Sequence, residues 1–246
     1  PNILEDGKIL DQNRYKPICQ TYRNTRTFLT LYDTKERIPL EDESAGKNMK
    51  IDNKKGAYKY QASNLDYENS EPYTRGHVCP SSYASNKTIK TSTFTLTNIV
   101  PQVESFNRGS WEKMETCVKC FMKKFCKNSN GVTEGYVVTG AQPGTEKLKN
   151  RVNIPSLMWS AFCCYSDDQK AWLASAHWGE NVADEPKDYL QTKSLNALYK
   201  DLGTPTFNIF PETKKHVSVK YRDMYRIAGR VSGYVSYRQT LANTHP

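Results

Sequence analysis

Tyr73-Thr74-Arg75-Gly76-His77 and, thirty residues further on, Asn107-Arg108-Gly109-Ser110-Trp111-Glu112-Lys113-Met114-Glu115 are the stretches on which the reading turns. The first sets an arginine and a histidine on a turn. The second sets an amide and a carboxylate at helical spacing: Asn107, Trp111 and Glu115 fall at i, i+4 and i+8, nearly one helix face. On an unbroken helix the two ends of that row lie about 12 Å apart along the axis. One cation is therefore not gripped directly by both. It is ligated by the Asn107 carbonyl and reached by Glu115 through a water. Magnesium suits such a site, because it keeps several waters and accepts few protein ligands. Glu104 and Glu112 are further carboxylates nearby, with Glu112 off this face. Gly109 inside the helix costs about 1 kcal/mol relative to alanine, which points to a close approach by another segment or a ligand.

His77 is the candidate general base. An ordinary imidazole, with a pKa of about 6.5, is largely neutral near neutral pH and can take a proton from water. Gly76 permits a tight backbone path beside it. Arg75 can pair bidentately with phosphate oxygens. Asn98, just before Ile99-Val100-Pro101-Gln102, either orients a water or holds the histidine loop; Gln102 leans towards structure. A lone histidine is more often a satisfied structural residue, and it is the company of Arg75, Asn107 and Glu115 that argues otherwise. Together these groups activate water, hold one hard cation and neutralise a phosphate, the set needed to cut a phosphodiester.

Working outward, residues 18–32 read as one or two strands, and polar residues 40–72 as a long irregular surface excursion. Residues 91–100 alternate through Thr93, Phe94, Thr95, Leu96 and Thr97, which predicts a half-buried strand stopped by Pro101. A helix is expected over 103–124, and a short buried strand over 135–140. A hairpin is expected from 156–165 and 170–176, and a helix over 187–200. The segment 214–246 is basic and bears tyrosines, read as a solvated face with tyrosines packed on the core. No repeat or linker divides the chain, so a single domain over 1–246 is expected. The fold class is α+β.

Net charge is +9 over 246 residues with pI near 9.1, a surplus that attracts polyanions but also suits a merely solvated surface. The longest nearly apolar run, Leu157 to Tyr165, is too short to span a bilayer, so no membrane partner is expected. The seven cysteines are Cys19, Cys79, Cys117, Cys120, Cys126, Cys163 and Cys164. They read as a partial disulfide framework of an oxidising compartment, as a zinc site on Cys117, Cys120 and Cys126, or as buried thiols. Asn86-Lys87-Thr88 is an N-x-[ST] triplet that can carry a glycan at Asn86 in a secreted protein. No signal segment opens the numbering at Pro1, leaving either a cytosolic protein or a signal already removed.

Arg75-Gly76-His77, Asn98-Ile99-Val100-Pro101-Gln102 and Asn107-x3-Trp111-x3-Glu115 resemble the motifs of the DNA/RNA non-specific endonucleases, the ββα-metal nucleases. Tyr136 to Gly140 and Ile154 to Trp159 follow in order, so the resemblance runs from about 27 to 215. Cys19-Gln20, Leu31-Tyr32-Asp33, Arg37-Ile38-Pro39 and Cys163-Cys164 are similar to the secreted endonuclease-domain-containing branch of vertebrates. The resemblance implies a central mixed or antiparallel sheet flanked by helices, with a ββα finger carrying the site. It implies His77 as base, Asn107 as the one direct ligand of Mg2+ (Mn2+ or Ca2+ substituting), and Glu115 on a coordinated water. It further implies Asn98 hydrogen-bonding within the site and Arg75 on the phosphate. Arg108 and Arg37 are weaker candidates for phosphate contact. DNA and RNA are the implied substrates, cut with little sequence preference to leave 5′ phosphates, by a secreted protein. Thr74 stands where the family has aspartate, which puts the local support of the site in question. Cys79 is read as a disulfide anchor for the histidine loop. The rival readings are a catalytically silent nuclease-like domain binding nucleic acid or another polyanion, and a zinc-stabilised intracellular phosphodiesterase.

Overall fold

The computed structural model describes residues 4–5, 8–9, 11–41, 58–202, 209–210 and 216–218. A two-stranded hairpin, β1 (Leu4–Glu5) and β2 (Lys8–Ile9), precedes an antiparallel sheet of β3 (Tyr15–Tyr22), β4 (Thr25–Asp33) and β5 (Ile38–Glu41). The expected strands at 18–32 are the β3–β4 hairpin. Its turn residues Arg23 and Asn24 have φ of 49° and 62°, the left-handed pair that a two-residue connection needs to match strand twist.

The next unit is β6 (Tyr73–His77), α1 (Lys87–Ser92), β7 (Ile99–Val103), α2 (Glu104–Phe106) and α3 (Glu112–Phe125). β6 and β7 pair antiparallel, with Arg75 opposite Pro101 and His77 opposite Ile99. Two strands leading into a long helix form the expected ββα unit. The main sheet has the order β11-β10-β9-β8, from β8 (Tyr136–Leu148), β9 (Val152–Ser166), β10 (Ala171–Glu180) and β11 (His216–Ser218). β8, β9 and β10 run antiparallel and β11 joins parallel to β10. The class is α+β with a mixed central sheet, and the 156–176 hairpin is β9–β10.

β9 explains the longest apolar run. Met158, Phe162 and Cys164 enter the core shared with α3 and the ββα unit, while Trp159, Ala161 and Cys163 enter a second core with α4 (Leu195–Asp201). Successive side chains point to opposite faces, so an interior strand covered on both sides reads as continuous apolar sequence. Cys126 at the end of α3 and Cys164 on β9 form a disulfide; the other five cysteines are thiols. Cys79 is therefore not a disulfide anchor, and Cys126 is not available to a zinc site. No group of three or more metal-ligating side chains occurs among the described residues.

Several expectations fail for local reasons. Residues 91–100 are not one strand: α1 ends at Ser92, Leu96–Asn98 is a 3-10 turn, and extension starts only at Ile99. The Thr and Ser hydroxyls turn back on the backbone instead. Thr91 donates to Lys87 O (2.8 Å), Ser92 to Ile89 O (2.7 Å) and Thr93 to Lys90 O (2.8 Å), the competition that lets these residues mimic a strand pattern while favouring turns. Pro101 does not stop β7, because it needs no partner N–H there. On that edge Asn181 receives Val103 N (2.8 Å) and donates to Pro101 O (3.0 Å). The 135–140 strand continues to Leu148, and the 187–200 helix shrinks to Leu195–Asp201, capped by Ser194 accepting from Ala197 N (3.2 Å). Of the surface excursion, residues 42–57 lie outside the described residues, as does the basic segment apart from 216–218; 58–72 includes the 3-10 turn Asn64–Tyr67. No helix among the described residues is long and apolar enough to cross a membrane.

Candidate active site

The helix carrying Asn107 and Glu115 is not a continuous α-helix. The helix kinks within Asn107–Trp111, where Gly109 sits at φ −103°, ψ −113°, outside helical space. The even four-residue rise assumed for Asn107 and Glu115 therefore does not hold. The cause is Asp184, on the loop after β10. Its Oδ2 accepts from Ser110 N at 2.6 Å, and a Cβ on Gly109 would lie 2.7 Å from that oxygen. Gly109 does mark a close approach by another segment, and that segment is Asp184. Single-chain reasoning missed Asp184 and Asn181, because nothing near them in sequence shows that they clamp the ββα unit.

Asn107 is half-buried and donates from Nδ2 to Thr74 Oγ1 at 3.0 Å; Thr74 donates in turn to Gln102 O at 3.3 Å. Thr74 thus orients the amide through a neutral hydroxyl. With Nδ2 fixed, Oδ1 has no hydrogen-bond donor among the described residues. Asn107, Thr74, Arg75, Arg108 and Tyr67 line an open groove of about 420 Å³. Arg75 is exposed, with its guanidinium 5.7 Å from the centre of the Tyr67 ring. Arg108, also exposed, pairs with Glu104 at 2.8 Å. Neither His77 nor Glu115 lines this groove.

His77 lies two residues beyond Arg75 on β6, hence on the same side of the strand. Its ring is half-buried against Phe94, centroids 4.7 Å apart at 82°, and Nε2 is buried with no hydrogen-bond partner. Burial lowers its pKa from the ordinary value to about 4, because the charged ring loses water. Asn98 holds the histidine loop: Oδ1 accepts from Cys79 N (2.8 Å), and Nδ2 donates to Cys79 O and Thr93 O, each at 3.0 Å. Of the two roles open to it, this geometry matches the second. Gln102 is fully buried across Gly76, where a Cβ would come within 2.1 Å of its Oε1.

Glu115 is half-buried on α3, and burial pushes its carboxyl up to about 8; the Trp111 indole N–H opposes that rise and Glu112 adds to it. A desolvated carboxylate needs a counter-charge or donor to ionise near neutral pH. The oriented Asn107 oxygen is a sparse, hard donor and fits a hydrated divalent cation that keeps most of its waters; Glu115 stands outside the groove. Arg37 points its donors elsewhere, to Lys59 O (3.0 and 3.1 Å) and Arg151 O (2.8 Å). Asn86 caps α1, accepting from Ile89 N at 2.9 Å.

A family model described as DNA/RNA non-specific endonuclease matches residues 12–197. The human and mouse endonuclease domain-containing 1 proteins are each 26% identical over 177 residues, 60% of this chain and 34% of theirs. A nuclease of Nostoc sp. is 33% identical over 91 residues, 35% of this chain and 30% of that protein. The chain spans about a third of the length of these curated relatives. Among solved structures, a chain of the EndoG/EndoGI complex is similar at TM-score 0.58 and 20% identity, covering 80% of this chain and 89% of that one; that likeness is one of fold. The match includes the β6–β7–α3 unit and its histidine and asparagine, and with that breadth the chain belongs to the DNA/RNA non-specific endonuclease family.

Proposed function

We propose that this chain is a single-domain, magnesium-dependent endonuclease that hydrolyses DNA and RNA phosphodiesters with little sequence preference. The observation that carries the reading is the Asn107–Thr74 hydrogen bond at 3.0 Å. It fixes an amide on the ββα unit with its carbonyl oxygen unengaged, in the groove shared with Arg75.

Asn107 Oδ1 would hold a divalent cation, and Glu115 would hold one of its waters. When bound, that cation supplies positive charge to the phosphate and to the departing 3′ oxygen. Arg75 binds a non-bridging phosphate oxygen, and its charge counters the negative charge that grows in the transition state. His77, neutral above about pH 4, takes the proton from the attacking water; such transfer contributes typically ~10²–10⁴-fold. Asn98 keeps the His77 loop in place through Cys79. Contacts to the phosphate backbone carry little sequence information, hence the broad specificity. The Cys126–Cys164 disulfide supports an oxidising, extracytosolic setting.

A second reading, a silent domain that only binds nucleic acid, is favoured by the closed-off Nε2 of His77. Incubating the protein with plasmid and magnesium, with and without chelator, separates the two. Nicking that chelator abolishes supports the nuclease. Inertness with magnesium, manganese and calcium alike overturns it in favour of the binder.

A further inference from the structure

Phe94 is the most exposed large apolar side chain among the described residues, at 62%. Scattered exposed apolar residues are ordinary; this one is distinguished by what lies beneath it. Its ring meets the His77 imidazole edge-on, and its outer surface faces solvent. It is not a loose tip. Phe94 N donates to Thr91 O at 3.2 Å, and the preceding carbonyl, Thr93 O, is held by Asn98 Nδ2. Beyond it, Thr95 and Thr97 share a hydroxyl contact at 3.0 Å, and Gln20 on β3 donates to Thr97 at 2.8 Å. One amide, Asn98, therefore fixes both the loop after His77 and the turn that presents Phe94. The helix leading into that turn carries exposed Lys87 and Lys90. Cationic side chains beside a fixed, exposed aromatic ring are the elements from which single-stranded nucleic-acid platforms are built.

We propose that Phe94 is a stacking platform for an unpaired nucleobase next to the phosphate presented to His77, so that the chain favours single-stranded or locally unpaired substrate. The proposal rests on the nuclease reading and names the form of substrate that site accepts. A base inside a duplex is stacked on its neighbours and cannot offer its face to the ring; a single strand can. A base laid on Phe94 also sets its own phosphate close to the imidazole, so substrate binding and access to the base become one event.

The test is binding in chelator, so that cleavage does not enter. Affinities are measured by fluorescence anisotropy for a short single-stranded DNA and for its abasic counterpart of equal phosphate count. Wild type is expected to prefer the base-bearing strand by about tenfold, the scale of one base–aromatic stack. Phe94→Ala and Phe94→Leu should abolish that preference, and Phe94→Trp should keep it. The leucine variant preserves apolar cover, so it guards against a fold defect in the alanine variant. Equal binding of both strands by wild type overturns the proposal, as does a preference that survives in the leucine variant. Cleavage with magnesium is measured separately, on the plasmid and on the base-bearing single strand: inertness on both sinks the nuclease reading and leaves the stacking result readable.

Discussion

At the scale of single residues, the site depends on how one amide is held. Thr74 supplies an acceptor to Asn107 and a donor to the Gln102 carbonyl, both lost in Thr74→Val. Removing an outer partner of a ligand typically costs about 10–100-fold in metal affinity or activity. The expected outcome for Thr74→Val is a shift of that size in the magnesium concentration giving half-maximal cleavage. Thr74→Ser should stay near wild type, and an unmoved titration in the valine variant refutes the role. His77→Ala is expected to lower cleavage by at least about 10²-fold while oligonucleotide binding in chelator changes less than twofold. Because burial depresses the imidazole pKa to about 4, the base is lost only as pH falls through that value. With Glu115→Gln removing the carboxyl that titrates near 8, the acid limb of kcat/KM should therefore lie well below the ordinary histidine range; a limb near pH 6.5 in that variant contradicts the buried setting. The candidate site residues stand out in the sequence, since Arg75, His77, Asn107 and Glu115 are chemically distinctive, and the roles given them belong to the proposal. Phe94 was not legible as a surface group, because alternation with threonines predicted a strand that would have turned it inward.

At the scale of elements, the kinked helix shows why spacing alone misled. An i, i+4, i+8 row presumes even winding, and the chain kinks at Gly109, where Asp184, distant in sequence, packs against it. Helix propensity predicts that Gly109→Ala stabilises by about 1 kcal/mol. The structure predicts the opposite sign. The new methyl would stand 2.7 Å from Asp184 Oδ2, so the carboxylate must swing away and release Ser110 N, and losing a hydrogen bond to a charged group costs roughly 1.5–3 kcal/mol. Urea denaturation of the variant decides: a higher midpoint would mean that the kink is not imposed from outside. The strand of 136–148 and the interior run of β9 were readable as apolar extended sequence. Their lengths were not, since pairing with a neighbour sets where a strand ends. Helix α4 was overextended for a related reason: the loop before it bonds to β10 through Lys193 and Ala176.

At the scale of the whole molecule, the main sheet and the loop after β10 are fastened to the ββα unit by the Cys126–Cys164 disulfide, by Asn181 on β7 and by Asp184 on the helix, among other bonds. The disulfide closes a loop of sequence separation 38. Reducing it, or replacing both cysteines by alanine, should lower stability by about 2–4 kcal/mol. Guanidinium melts with and without reductant measure this; coincident curves would mean that packing of α3 on β9 already holds the join. The fold class and the ββα unit were legible because three motifs fell in order along the chain. The pairing of the cysteines was not, because connectivity depends on which segments meet in space.

The side chain of Asn181 occupies the place where a neighbouring strand's backbone would dock on β7, and Pro101 offers that flank no amide hydrogen. The β7 edge of the ribbon beside the groove is consequently a finished margin, with no template there for β-addition by a passing peptide or by another molecule of the same chain. The groove remains open to polymers that arrive by charge.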